Sequence, residues 1–304
     1  MNKNICFVVC THNRGQAVSE LLANYVKLAK IQYSVIFLDN SSEEKSYKIL
    51  KNKIEELNSK FLKIHRLPPL GLSNARNYAL KNIDSTYLWF LDDDILIPDQ
   101  FIEHLKIIEN QSLPSVFGGK VTPKFPINPP NWLKNSKLCT NMLSCINYGD
   151  SDRQLKKTEF LVGANFCVNS EDAKKCGGFD NNLGRKAGNH LLSNEDIQLV
   201  DNIVKLKGRE PFYYAGAEII HLIPIERMKF GWFQKRMFWQ AISDIMIGRV
   251  YKPKLQNLTH YLEKLPYENR NHRGILMPQN EEVLEAQLNS IYTMTYLMQN
   301  LDEE

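Results

Sequence analysis

Apolar residues fall in short unbroken runs along roughly the first 120 positions, with helical spacing between the runs. Ile5-Cys6-Phe7-Val8-Val9-Cys10 has no polar break, the pattern of a parallel strand covered on both faces. Val35 to Leu38, Leu62 to His65, Tyr87 to Leu91 and Ser115 to Val121 predict four more strands. Between them lie helical patterns. Val18, Leu21, Leu22 and Tyr25 share one face, and Tyr47, Leu50, Ile54 and Leu57 another. Ala75, Tyr78 and Ala79 follow the turn Pro68-Pro69-Leu70-Gly71, and a helix runs from Pro98 to about Gln111 with proline well placed in its first turn. Strand alternating with helix predicts an open α/β sheet, mostly parallel, that binds ligands at the carboxyl ends of its strands. Three strands end in polar groups: Thr11 to Arg14, Asp39, and Asp92 to Asp94.

The second half is patterned less regularly. Thr122 to Lys134 carries Pro123, Pro126, Pro129 and Pro130 and reads as an ordered crossing loop or a mobile lid. Phe160 to Cys167 is apolar, Ser193-Asn194-Glu195-Asp196 opens a helix to about Lys207, and Phe212 to Tyr214 and Glu218 to His221 are strand-like. A helical run from Met228 to Arg249 mixes aromatic and basic residues, and residues 280 to 300 predict a last helix. Aromatic and basic residues together suit a membrane surface; apolar residues all around the run suit packing.

Composition narrows the picture. The chain has 304 residues and a formal charge of +4, so no overall positive field draws it to nucleic acid. No run of about 18 apolar residues predicts a membrane span. The apolar run after Met1-Asn2-Lys3-Asn4 stops at Thr11, too early for a signal peptide. Six cysteines without C-x-x-C spacing read as reduced thiols of a cytosolic protein. Neither a dinucleotide fingerprint nor a P-loop is present.

The chemistry concentrates at Asp92-Asp93-Asp94. On an extended backbone Asp92 and Asp94 share a face and Asp93 points away. Two like charges about 5 Å apart repel by roughly 3 kcal/mol at an effective dielectric near 20, which a divalent cation would relieve. Oxygen ligands in a D-x-D pattern suit Mg²⁺ or Mn²⁺, and a solvated acidic turn accounts for the same residues. Ser193-x-x-Asp196 matches a capping box, and a carboxylate at a helix start is kept ionised, as a general base requires.

Taken in order, these pieces resemble family 2 glycosyltransferases of the GT-A fold. They are Cys10-Thr11-His12-Asn13-Arg14, Asp39-Asn40-Ser41-Ser42, Gly71-Leu72-Ser73-Asn74-Ala75-Arg76-Asn77, Leu91-Asp92-Asp93-Asp94, Gly163-Ala164-Asn165, Gly177-Gly178-Phe179-Asp180, Leu183-Gly184-Arg185, Glu195-Asp196, and His221 followed by Arg227. The resemblance runs from about Ile5 to Gln240. It implies a Rossmann-like mixed sheet, mostly parallel, with helices on both faces and a C-terminal helical extension. Residues 1–228 would be the catalytic domain, split into a nucleotide-sugar half (1–121) and an acceptor half (122–228), with 229–304 the extension. It implies Asp94, Asp92 and His221 at a Mn²⁺ or Mg²⁺ ion. Thr11, Asn13, Arg14, Asp39, Arg76, Asp92, Asp93 and Arg227 fall on the nucleotide side. Asp196 becomes the base and Glu195 an acceptor-hydroxyl contact. The reaction implied is inverting transfer from a nucleotide sugar, UDP-linked first, to a saccharide or lipid-linked glycan in polysaccharide biosynthesis. The place implied is the cytoplasm, with peripheral contact at the inner membrane face.

Each residue also has a plain structural role open to it. His221 reads as a hydrogen-bonded strand histidine, Asp39 as an Asx-turn residue and Arg76 as a surface helix arginine. Trp132 and Trp239 suit a core or rim as well as a sugar ring. Asn194 stands where relatives often carry glycine. A sugar-nucleotide nucleotidyltransferase and a non-catalytic carbohydrate-binding protein are the alternative functions.

Overall fold

The computed structural model describes residues 5–186, 191–248, 253–265, 278 and 280–299. Met1 to Asn4, Arg249 and Asn300, which bear on the expected N-terminus and helix ends, lie outside the described residues. The chain divides into two units. The first holds residues 5–124, 144–186 and 195–222; the second holds 125–143, 191–194 and the described residues from 223 onward.

The first unit is built on nine strands: β1 (Ile5–Thr11), β2 (Ser34–Asp39), β3 (Leu62–Arg66), β4 (Tyr87–Leu91), β5 (Ile95–Leu96), β6 (Val116–Lys124), β7 (Arg153–Gln154), β8 (Asn165–Asn169) and β9 (Phe212–Leu222). The order is β3-β2-β1-β4-β8-β6-β9-β5, with β7 also on β9. The apolar runs became the parallel ladders β3-β2-β1-β4, as the alternation predicts. Antiparallel pairing enters at β8, and at β5 and β7 against β9. β8 inserts antiparallel between β4 and β6, while β6 and β9 pair in parallel. Asn165 on β8, wholly buried, makes this insertion specific. It accepts from Trp89 Nε1 at 2.9 Å and donates to Ala217 O at 2.8 Å and Lys120 O at 3.3 Å. Gly119 lets the backbones close here, since a Cβ on it would sit 1.8 Å from Ala217 O.

The two strand-like pieces near 212 and 218 are one strand. Ala215-Gly216-Ala217 lies within that strand, where the register against β6 shifts, and a Cβ on Gly216 would meet the His104 ring. Around the sheet run α1 (Gly15–Lys30), α2 (Glu44–Glu56), α3 (Leu72–Asn82) and α4 (Asp99–Glu109). An aromatic core joins them, with Trp89 stacked on Phe7 at 5.3 Å and edge-on to Phe101 and Phe117.

In the second unit, the proline-rich stretch ends in α5 (Asn131–Lys134), followed by α6 (Lys137–Met142). The first unit then resumes with α7 (Ser170–Lys175) and α8 (Glu195–Lys207). The second closes with α9 (Phe230–Met246), α10 (Leu255–Glu263), which the apolar pattern does not predict, and α11 (Glu281–Gln299). Phe230, Phe233, Met237 and Ala241 of α9 are buried, and α9 packs on α11, so the aromatic-basic run is a packed helix. Trp132 belongs to the same cluster, edge-on to Phe230 and Phe233. Trp239 lies edge-on to Phe238. Among the described residues no helix is long and apolar enough to cross a membrane, and no disulfide joins any of the six cysteines.

Candidate active site

The acidic tip of β4 meets His221 because of β5, a strand of two residues that no periodicity reveals. Ile95 pairs with His221 across the β5–β9 ladder, and Leu222 N donates to Asp94 O at 2.8 Å. The chain therefore turns back onto β9 just after the third aspartate. Asp92, Asp94 and His221 each offer a ligand atom, and these atoms lie within 4.8 Å of one another. Asp92 is half-buried, whereas Asp94 and His221 are buried. The segment is fixed from behind by α1, where Tyr25 OH donates to Asp92 O at 2.7 Å and Lys27 Nζ to Ile97 O at 2.9 Å.

Asp93 does not point away as strand alternation predicts. The strand ends at Leu91 and the backbone bends, so period two no longer applies. Thr11 Oγ1 donates to Asp93 Oδ2 at 2.6 Å, and one nitrogen of Arg14 lies 3.1 Å from Asp93 and 2.9 Å from Asp94. Burial pushes the Asp93 carboxyl up to about 7 against the pull of Arg14. Burial would lower His221, but its hydrogen bond to Asp94, 3.2 Å away, wins and holds the ring proton up to about 10. Three acidic side chains thus gather around one guanidinium and one histidine ring. The other ring nitrogen of His221 lies 4.0 Å from Cys145 Sγ.

The ends of β1 and β2 are tied together. Asn13, in a left-handed conformation, donates to Ser41 and Ser42 through its backbone and side chain and accepts from Glu43 N; the His12 ring meets Asn40 O at 2.8 Å. Asp39 is wholly buried. Its Oδ1 accepts from Ser41 N at 2.8 Å, the expected Asx turn, while Oδ2 has no hydrogen-bond partner among the described residues. A buried carboxylate oxygen without a donor is costly, which points to a donor from a ligand.

Arg76 is a buried arginine, not a surface one. It is 2% exposed, and its guanidinium lies 5.5–5.6 Å from the rings of Phe90, Phe166 and Phe179. Nη1 pairs with Glu195 Oε1 at 2.9 Å and Nη2 donates to Gly163 O at 3.1 Å. A sequence reading cannot see this pair, whose members stand 119 residues apart. Ser73 and Asn77, on the same face of α3 as Arg76, bond Leu183 O and Phe179 O. The helix motif therefore grips the chain from Gly163 to Glu195. Glu195 is 5% exposed; burial, then the Asp196 charge, push its carboxyl up to about 7 against Arg76.

Asp196 is more open and accepts from Ile197 N at 2.8 Å. Gly163 leaves room for it, since a Cβ there would fall 2.5 Å from Arg76 Nη2 and 3.0 Å from Asp196 Oδ2. Burial works against the Arg76 charge, and Glu195, Asp196, Cys10 and Asp92 together hold its proton more tightly. Arg76 thus feels both the acidic tip and the α8 carboxylates. Ser193 Oγ, the expected capping group, accepts from Arg236 Nη2 at 3.0 Å within the second unit. Arg227, also in that unit, lies on a 3-10 helix (Ile225–Met228) against Trp232.

The chain is similar to known proteins. The family model for glycosyl transferase family 2 matches residues 6–175. The curated glucosyl-dolichyl phosphate glucuronosyltransferase of Haloferax volcanii is 24% identical over 196 residues, 64% of this chain and 61% of that protein. This chain therefore spans about three-fifths of that relative's length. Among solved structures, the mannosyltransferase PcManGT from Pyrobaculum calidifontis, in complex with GDP-Man and Mn²⁺, matches with a TM-score of 0.57 and 13% identity, over 100% of this chain and 76% of that one. GalNAc-T7 with UDP, GalNAc and Mn²⁺ matches at 0.53 and 12%, over 99% and 57%. S. aureus TarS 1-349 matches at 0.50 and 15%, over 99% and 91%. At these identities what is shared is the GT-A fold.

Proposed function

The chain belongs to glycosyl transferase family 2, and on that premise we propose that it transfers a sugar from a nucleotide-sugar donor to a hydroxyl of a saccharide or lipid-linked glycan, with inversion and a divalent cation. The observation that carries this reading is the convergence of Asp92, Asp94 and His221. Two carboxylates and an imidazole suit Mn²⁺ or Mg²⁺, and the local surplus of acid over base favours a cation. These three residues would hold the ion, which when bound offsets charge gathering on the diphosphate leaving group.

The chain's own groups supply the rest. Asp39 Oδ2 takes an N–H of the base; one free oxygen matches the single imide N–H of uracil, which supports a UDP-linked donor. Thr11 and Arg14 fix the orientation of Asp93 and Asp94, and Asn13 joins the two strand ends beneath the nucleotide. Asp196 accepts the proton of the acceptor hydroxyl from the face opposite the diphosphate, so the anomeric carbon inverts. Arg76 serves Asp196 through Glu195 and Gly163 rather than touching the donor. Arg227 remains on the donor side in this proposal, and residues 1–228 act as the catalytic domain with 229–304 as the extension. The curated relative acts, by its name, on glucosyl-dolichyl phosphate, which supports a lipid-linked acceptor. Polysaccharide biosynthesis at the cytoplasmic membrane face is the setting proposed with it.

Incubation with Mn²⁺ and a panel of nucleotide sugars, scored for nucleoside diphosphate release, tests the proposal. Release is expected with one donor and is lost on chelation. Asp196→Asn should slow transfer about 10²- to 10⁴-fold while Mn²⁺–nucleotide binding persists. Pyrophosphate as the product would favour a nucleotidyltransferase, and binding without any release a carbohydrate-binding module. Undiminished turnover in Asp196→Asn would remove that residue from the role.

A further inference from the structure

Asn194 directly precedes the Glu195-Asp196 pair and holds a left-handed backbone, with φ at +74°. That region favours glycine, and asparagine is among the few other residues that enter it. Unlike glycine, Asn194 carries a side chain, and here it is 1% exposed and bonded at both ends. Its Nδ2 donates to Asp244 Oδ1 at 2.7 Å, and its Oδ1 accepts from Gln240 Nε2 at 3.1 Å. Gln240 Nε2 also reaches Asp244 Oδ1 at 2.9 Å, and Tyr292 OH donates to Asp244 Oδ2 at 2.9 Å. One residue earlier, Ser193 N donates to Ser243 Oγ at 3.1 Å. Helix α9, braced by Tyr292 of α11, thus grips the two residues ahead of α8. All these contacts lie within the second unit, and the main chain runs on from Asn194 into Glu195 and Asp196.

We propose that Asn194 and Asp244 are positioning residues of the transfer reaction. Asp244 gathers three donors on one carboxylate, and such charge-assisted bonds are the stronger kind. They fix the peptide entering α8 and so the direction in which Asp196, two residues on, presents its oxygens. A displacement of about 1 Å at a reacting group can slow a reaction about a hundredfold. The proposal rests on Asp196 acting as the base.

The test uses the full chain. Asn194→Gly keeps the left-handed backbone without strain and deletes only the amide; Asp244→Ala deletes its anchor; Asp244→Asn keeps one acceptor oxygen. Asn194→Gly and Asp244→Ala should each lower kcat for transfer about ten- to a hundredfold, leaving donor KM and Mn²⁺ affinity unchanged. The double variant should be no slower than the worse single one, because both act through one network. Asp244→Asn should recover part of the loss. Amide hydrogen exchange over residues 193–199 should quicken in both deletions.

Full kcat in Asn194→Gly, beside an active wild type, overturns the proposal, as do additive losses. A rise in donor KM together with a fall in Mn²⁺ affinity and melting temperature would make the cluster merely structural. If Asp196→Asn retains turnover, the base assignment fails and the positioning role falls with it. A wild type inert toward every donor overturns the functional reading as well, so the failures are told apart.

Discussion

Two groups of charge in the first unit differ in how they are neutralised. At the tip of β4, Arg14 pairs with Asp93 and Asp94, and His221 lies against Asp94. Below Asp196, Arg76 meets Glu195 one-to-one inside a ring of phenylalanines and spends its second nitrogen on a carbonyl. The first group gathers three acidic side chains on a bend; the second holds its ion pair in dry, aromatic surroundings. Acids in surplus are arranged to receive something, whereas a matched buried pair holds a shape. Burial alone does not separate the two, since Asp94 at 4% exposure is as enclosed as Glu195 at 5%.

Substitutions can break that contrast. The largest effect is expected at the matched pair. Arg76→Leu strands Glu195 in an apolar site and should cost about 3–5 kcal/mol in urea unfolding, since a buried pair broken on one side leaves an uncompensated charge. A loss below about 1 kcal/mol would show the pair to be incidental. At the surplus group the outcome should invert. Asp94→Asn removes one of the mutually repelling acids, so the fold should persist, but Mn²⁺ affinity should fall by at least the roughly 10–100-fold that losing an outer-shell partner costs. Calorimetric titration with Mn²⁺ measures this, and retained affinity would dismiss the three-residue site.

The smallest effect is a slope. Burial raises Glu195 from 4.5 in the unfolded chain to about 7 in the folded one. Between those values the folded state holds the extra proton, so this group's stabilisation is complete below pH 4.5 and fades as pH rises toward 7. Glu195→Gln should flatten that part of the stability profile, as read by melts across the window. An unchanged slope would mean Glu195 stays ionised beside Arg76.

The parallel half of the sheet was legible because buried strands are unbroken apolar runs, as in Ile5 to Cys10. The residues that gather at the site were nameable from short local patterns. What brings them together was not. β5 is too short to have a period, yet it carries Asp94 to His221. The pairing of Arg76 with Glu195 spans the chain, and a charged residue in a helix gives no local sign of being buried. The bend at Asp93 undid the alternation expected of it, because a strand's period ends with the strand. Helix α10 has no buried residue, which is consistent with the weak signal it leaves.

The stitching of Asn13 to Ser41, Ser42 and Glu43 has a consequence for anyone recasting donor preference. The turns after β1 and β2 form a single rim, so neither is a module that can be transplanted alone. A graft of residues 39–43 from another protein would strand the Asn13 amide. Residues 11–14 and 39–43 must travel together, and natural changes of nucleotide specificity should be written in both turns at once.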